Sequence, residues 1–359
     1  MQRATFRNRR AVQLENESIR VTVTEEGGHV AEILHKATGV NPLWAPPWPS
    51  IEPSAYDAAR HPQYGPDIDA PLLAGILGHN LCLDTFGGPS PEEAAAGMPV
   101  HGEAGIAPFR ISGGEREITM TVSAPIAELA FERRIRLASD QRVVLFAETV
   151  ENLSSSDRPI AWTQHVTLGP PFLERGATRF RASATRSRVG DASFNGGKGN
   201  LVPDAEFDWP LCPTRDGRVT DLRVFTNEPV SGGFTTHLMD PASQHAWFLA
   251  WSPETKVLFG YVWQQADFPW LARWEENHLR TQAPWNGAAL TCGLEFGASP
   301  MAESRRQMIT RGSLFGVPGF RWAPARSRLE AVYAAFVTTA DRIPESVAWD
   351  GSDQIQFVA

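Results

Sequence analysis

The chain has 359 residues, 42% apolar and 21% charged, with 30 Gly, 28 Pro and 3 Cys. This mix excludes a disordered polymer, a collagen-like repeat and a small disulfide scaffold. Asp and Glu outnumber Lys and Arg 41 to 33, a formal charge of −8, which disfavours nucleic acid or an anionic membrane as partner.

In chain order, no apolar run of signal-peptide length follows the basic opening 1–10, so a cytoplasmic location is expected. Ile19-Arg20-Val21-Thr22-Val23-Thr24 alternates with period two, as a half-buried strand requires. The Pro-rich stretch 42–71 carries Trp44, Trp48, Tyr56 and Tyr64 and reads as a long loop, either anchored by its aromatics or folded over a site. Short helices are expected at 91–96 and 302–310, and a strand at Ile118–Val122. Two hairpins follow, one over 131–152 with a turn at Ser139-Asp140-Gln141 and one joining 246–251 to 257–263 through Ser252-Pro253-Glu254. The stretches 190–213 and 312–324 read as loops. Cys82, Cys212 and Cys292 lack metal-knuckle spacing and read as buried thiols in a reducing compartment. No GxGxxG, GxxxxGK or HExxH motif is present.

Several stretches gain meaning from their order. Glu26-Gly27-Gly28-His29 leads to Asn41-Pro42-Leu43-Trp44, and a segment from Gly78 ends in Asp84-Thr85-Phe86-Gly87. Met98-Pro99-Val100-His101-Gly102 follows, then Trp162-Thr163-Gln164-His165-Val166, then Phe268-Pro269-Trp270 with Arg273-Trp274, and finally Cys292-Gly293-Leu294-Glu295-Phe296-Gly297. In this order and spacing they resemble the motifs of the aldose 1-epimerase (galactose mutarotase-like) superfamily across nearly the whole chain. The resemblance implies an all-β fold, a large antiparallel β-sandwich (supersandwich), with residues 1–359 as a single domain even though length alone allows two.

The resemblance also implies a reaction. Exchanging the α and β anomers of a sugar needs a base for the C1 hydroxyl proton and an acid for the ring oxygen, and no metal or other cofactor. By resemblance Glu295 is the base and His165 the acid, on opposite sides of the ring, while His101 binds a hydroxyl or orients the ring. Further substrate-binding candidates are His79 and Asp84, Asp240 beside His237, and the polar cluster at 273–278. Strand alternation puts Arg273, Glu275 and Asn277 on one face of that cluster and Trp274, Glu276 and His278 on the other; Arg273, Trp274 and Glu276 are its candidates. Trp44 or Trp48 would add aromatic walls.

Each residue has a plainer reading: Glu295 pointing to solvent, His165 satisfied in a core, His101 shaping a turn, the cluster an exposed strand end. Hexose-phosphate mutarotases carry Arg where this chain has Ile76 and Gly105, so the expected partner is an unphosphorylated sugar or oligosaccharide. The expected assembly is a monomer or homodimer. Two other functions remain open at this point: a non-catalytic carbohydrate-binding protein, and a glycan-cleaving enzyme pairing Glu295 with Glu276, which needs carboxylates about 5 to 10 Å apart.

Overall fold

The computed structural model describes residues 1–358. Two antiparallel sheets, of 12 and 8 strands, enclose one continuous apolar cluster drawn from both. The expected all-β sandwich is the observed architecture. At the centre of the larger sheet the strands His79–Asp84, Arg158–Leu168, Leu290–Gly297, Trp270–Asn277 and Ser231–Met239 lie side by side in that order. Apart from Trp270–Asn277 and Leu290–Gly297, which follow one another in the chain, neighbours in space are therefore far apart in sequence.

The expected hairpins form in the smaller sheet, Leu129–Leu137 pairing with Val143–Asn152 and His245–Trp251 with Val257–Gln264. Leu129–Leu137 keeps every second residue buried, from Leu129 to Leu137, because only one of its faces meets the core. The centre of the larger sheet differs. Every residue of Arg158–Leu168 after Arg158 is buried, since its inner face meets the smaller sheet and its outer face is roofed by residues 44–76. Trp44, Trp48, Tyr64, Leu72 and Leu73 of that roof cluster with Phe234 and Trp274 of the sheet. The Trp44 amide donates to the Thr167 carbonyl, and Trp48 Nε1 donates to the Leu73 carbonyl, each at 2.8 Å. The Pro-rich stretch is thus anchored by its aromatics and lies over the sheet.

Between the sheets sits a buried polar network. Arg133 Nε donates to Glu148 at 2.7 Å, and Arg133 Nη2 to Gln164 Oε1 at 2.8 Å. Trp162 Nε1, Gln164 Nε2 and the Tyr333 hydroxyl also donate to Glu148, at 2.9, 2.7 and 2.6 Å. The expectation that His79 binds substrate is corrected here. Its ring nitrogens lie 2.9 Å from the Tyr261 hydroxyl and from Gln164 Oε1, inside this network. Alternation is the reason, because His79 shares the inner face with Leu81 and Leu83. Burial, reinforced by the Arg133 charge, holds its pKa well below the ordinary 6.5.

Two of the short helices are Pro91–Ala95 and Arg305–Arg311, each opened by a serine capping box, Ser90 with Glu93 and Ser304 with Gln307. The second starts later than its apolar pattern suggests because Ser304 takes the cap position. All three cysteines are buried and free of disulfides. Among the described residues no helix is long and apolar enough to cross a membrane.

Candidate functional site

The outer face of the larger sheet carries the site. Register pairs Gln164 with Phe296 and Thr167 with Gly293, so His165 and Glu295 stand opposite each other on adjacent strands. Both point away from the core, which takes Trp162, Val166, Leu294 and Phe296 from the intervening positions. His165 Nε2 lies 3.2 Å from Glu295 Oε1, with that oxygen not aligned for a hydrogen bond to any described group. His165 Nδ1 is 3.0 Å from the Thr167 hydroxyl, which holds the ring in place.

Burial moves the two groups in opposite directions. The Glu295 carboxyl is pushed well above the ordinary 4.5. The His165 imidazole is held well below 6.5, by burial first and then by the neighbouring His101. Each shift disfavours the charged form. Together the two shifts favour a carboxyl that keeps its proton beside an uncharged imidazole.

Gly293 makes this arrangement possible. It precedes Glu295 by two residues on the same face, and a Cβ there would overlap the Glu295 carboxylate. Gly293→Ala is expected to swing the carboxylate away from His165, cutting turnover of any reaction that uses the pair by about 10²-fold or more. Its thermal midpoint should stay within a few degrees of wild type, so activity assays beside a melting curve check the expectation.

His101 completes the floor of the cleft. It occupies a tight turn with φ +64°, followed by Gly102 at φ +81°, which brings its ring centroid within 4.9 Å of that of His165. Nδ1 lies 2.5 Å from the Phe86 carbonyl; because a carbonyl only accepts, Nδ1 carries the proton and Nε2 is left as an acceptor. Burial pushes its pKa down to about 4.

The cleft encloses about 560 Å³, open space at its mouth included. Trp274 and Trp285 wall it, edge to face at 5.9 Å. Trp274 Nε1 is buried without a hydrogen-bond partner among the described residues, a donor available to a ligand. Arg280 also lines the cleft, its guanidinium 4.6 Å from the Trp285 ring centroid. Asp69 and Ile76 reach it from the roof.

Of the residues singled out from sequence, His101, His165, Trp274 and Glu295 line this cleft together. The others are corrected. Arg273 lies on the opposite face of its strand, buried, and pairs with Glu275 at 2.8 Å. Glu276 is on the cleft side but 0% exposed; its Oε1 accepts the amides of Leu279 and Arg280, at 2.7 and 2.9 Å, and fastens the loop that follows. Asp84 is buried against Arg158, with Arg305 at 3.7 Å, and does not line the cleft. Its carboxyl is nonetheless raised to about 6 by burial. Asp240 caps a surface turn by accepting the Ala242 amide and the Ser243 hydroxyl. Trp44 and Trp48 are not walls but buried backing: Trp44 stacks on Trp285 at 6.1 Å, and Trp48 meets its edge at 5.0 Å.

Sequence reasoning missed Trp285, Arg280 and Asp69. The available signal was weak: an Arg and a Trp within the 278–289 loop, between two strands already singled out.

No family model matches the sequence, and no curated protein matches it. Solved structures do. A protein from Klebsiella pneumoniae, titled a "putative aldose 1-epimerase", superposes with a TM-score of 0.66 at 12% identity, over 93% of this chain and 80% of that one. A galactose mutarotase-like protein from Clostridium acetobutylicum gives 0.61 at 12% identity, over 94% and 98%. One from Lactobacillus casei gives 0.59 at 13% identity, over 91% and 100%. Two sheets in this order, a roofed outer face and these superpositions lead to one conclusion: the chain has the galactose mutarotase-like β-sandwich fold.

Proposed function

We propose that the protein is a mutarotase-type epimerase that interconverts the anomers of an unphosphorylated reducing sugar, with His165 and Glu295 as its acid-base pair. The observation that carries this reading is the 3.2 Å contact of these two groups at the floor of a cleft walled by Trp274 and Trp285. The hydroxyl oxygen and the ring oxygen of a hemiacetal are bonded to the same carbon. An acid and a base that serve them must be close neighbours, and a pair on one side of the ring suffices in place of groups on opposite sides.

In this reading one member of the pair takes the O1 proton while the other protonates O5, the C1–O5 bond breaks, and the open aldehyde turns about C1–C2. Reclosure runs the same transfers backwards, so each group serves as acid and as base in every cycle. Burial favours the protonated carboxyl and the neutral imidazole, so this reading takes Glu295 as the donor to O5 and His165 as the acceptor from O1, the reverse of the roles implied by resemblance. His101 Nε2 accepts from a hydroxyl, and the sugar's C–H face stacks on the indoles. Ile76 within the cleft offers nothing to a phosphate.

Glycan cleavage is less well supported, because Glu276 is occupied in holding the following loop. The test is anomer exchange of free hexoses, pentoses and disaccharides followed by polarimetry or NMR. Acceleration of at least one sugar is expected; a sugar that binds in the cleft without acceleration by wild-type protein would leave a binding protein, and released reducing ends would mean glycan cleavage.

A further inference from the structure

The cleft does not end as a closed pocket. Phe194, Phe234 and Ala302 line it and also line a second, larger cavity of about 1,210 Å³, open space at its mouth included. On the other side, Trp285 is backed by the buried Trp44 and Trp48. A ligand too long for the cleft therefore has its way out past Phe194 and Ala302.

The second cavity combines apolar ring surface with forked polar groups. Phe194 and Phe234 lie 5.3 Å apart, and Met301 adds to them. Arg311 presents a planar guanidinium held by Glu303 through Nε and Nη2, at 3.0 and 3.0 Å. Gln307 and Thr310 stand on the same helix. Carboxylates number three in the lining, Asp191, Asp204 and Glu303, against the guanidiniums of Arg306 and Arg311. With more carboxylates than guanidiniums the surface does not favour an anion, while an apolar patch beside planar donors and acceptors suits a neutral pyranose ring.

We infer that the substrate is a neutral reducing oligosaccharide of at least two rings, its reducing ring at His165 and Glu295 and its next ring in the second cavity. This rests on the mutarotase reading and adds the substrate class. The chemistry is compatible, because anomer exchange alters only the reducing ring and leaves the glycosidic bond intact.

The experiment compares glucose and galactose with maltose, cellobiose and lactose, using anomer exchange for turnover and calorimetry for binding. It does so for wild type and for Thr310→Trp, an exposed helix position that lines only the second cavity. At least one disaccharide should show a kcat/KM tenfold or more above its constituent monosaccharides, and Thr310→Trp should abolish that preference while leaving monosaccharide turnover unchanged. Equal kcat/KM values for mono- and disaccharides, or a preference untouched by Thr310→Trp, would overturn the inference. If no sugar is turned over, the mutarotase reading fails on its own, and calorimetry still decides the second cavity. Tighter disaccharide binding that Thr310→Trp weakens supports it; equal binding of one and two rings refutes it. A uronic acid disaccharide bound more tightly than every neutral one would refute the neutral class.

Discussion

Glu295→Gln should lower kcat for anomer exchange by about 10²- to 10⁴-fold, the usual contribution of a positioned acid-base group, and should at the same time raise thermal stability. The first effect follows from removing a group 3.2 Å from His165 Nε2 that can both give and take a proton. The second follows from linkage. Glu295 ionises in the unfolded chain near its ordinary value but resists ionisation in the fold. Above about pH 4.3 the native state therefore holds a proton that the unfolded state has released. The contribution of this group to stability is intact below its unfolded pKa and is lost as pH rises through the folded one. Gln keeps the shape and removes that loss, so the midpoint gap between variant and wild type should be widest near pH 8 and close towards pH 4. Melting curves across that range beside polarimetry give both readouts. A variant that loses activity and also melts earlier at pH 8 would make Glu295 a structural residue.

The same pair sets the pH profile of wild type. Turnover needs one proton shared between the two groups, so kcat/KM should be bell-shaped. The acid limb, set by His165, falls below 6.5, and the alkaline limb, set by Glu295, lies above 4.5.

The largest stability effect is expected at Arg133→Met. Arg133 and Glu148 are both buried in the core, and removing the cation leaves a carboxylate without its counter-charge and takes one of its donors from Gln164 Oε1. Breaking a buried pair of this kind costs about 3 to 5 kcal/mol. Arg133→Met with Glu148→Leu should recover part of the loss, because the pair as a whole carries a desolvation penalty that apolar side chains avoid. Urea midpoints of the single and double variants test this. A single-variant loss below about 1 kcal/mol would mean that the pair behaves like one at the surface.

Legibility of the chain varied with how many faces an element buries. Strands with one wet face, such as Leu129–Leu137, show their period in the sequence and were found with their partners. The central strand Arg158–Leu168 is covered on both sides and carries no such alternation, and its place was reached through motif order. At 273–278 alternation correctly separated Arg273 from Trp274. It could not tell which face meets the cleft, nor that the Glu276 carboxylate turns onto the Leu279 and Arg280 amides.

By itself the sequence determined the fold class, the hairpins, the presence of two short helices and the residues His101, His165, Trp274 and Glu295 as a group to examine. The tertiary structure alone decided that His165 and Glu295 touch, that His79 belongs to the core, and that Trp285, Arg280 and Asp69 join the cleft. The reason is physical. Period and turn chemistry act over a few residues and leave their mark locally, whereas a site on a sheet of non-consecutive strands is made by cross-strand register and by a roof brought from far along the chain. Four indoles meet in this way only in the folded chain, one on a strand, one on a loop and two on the roof.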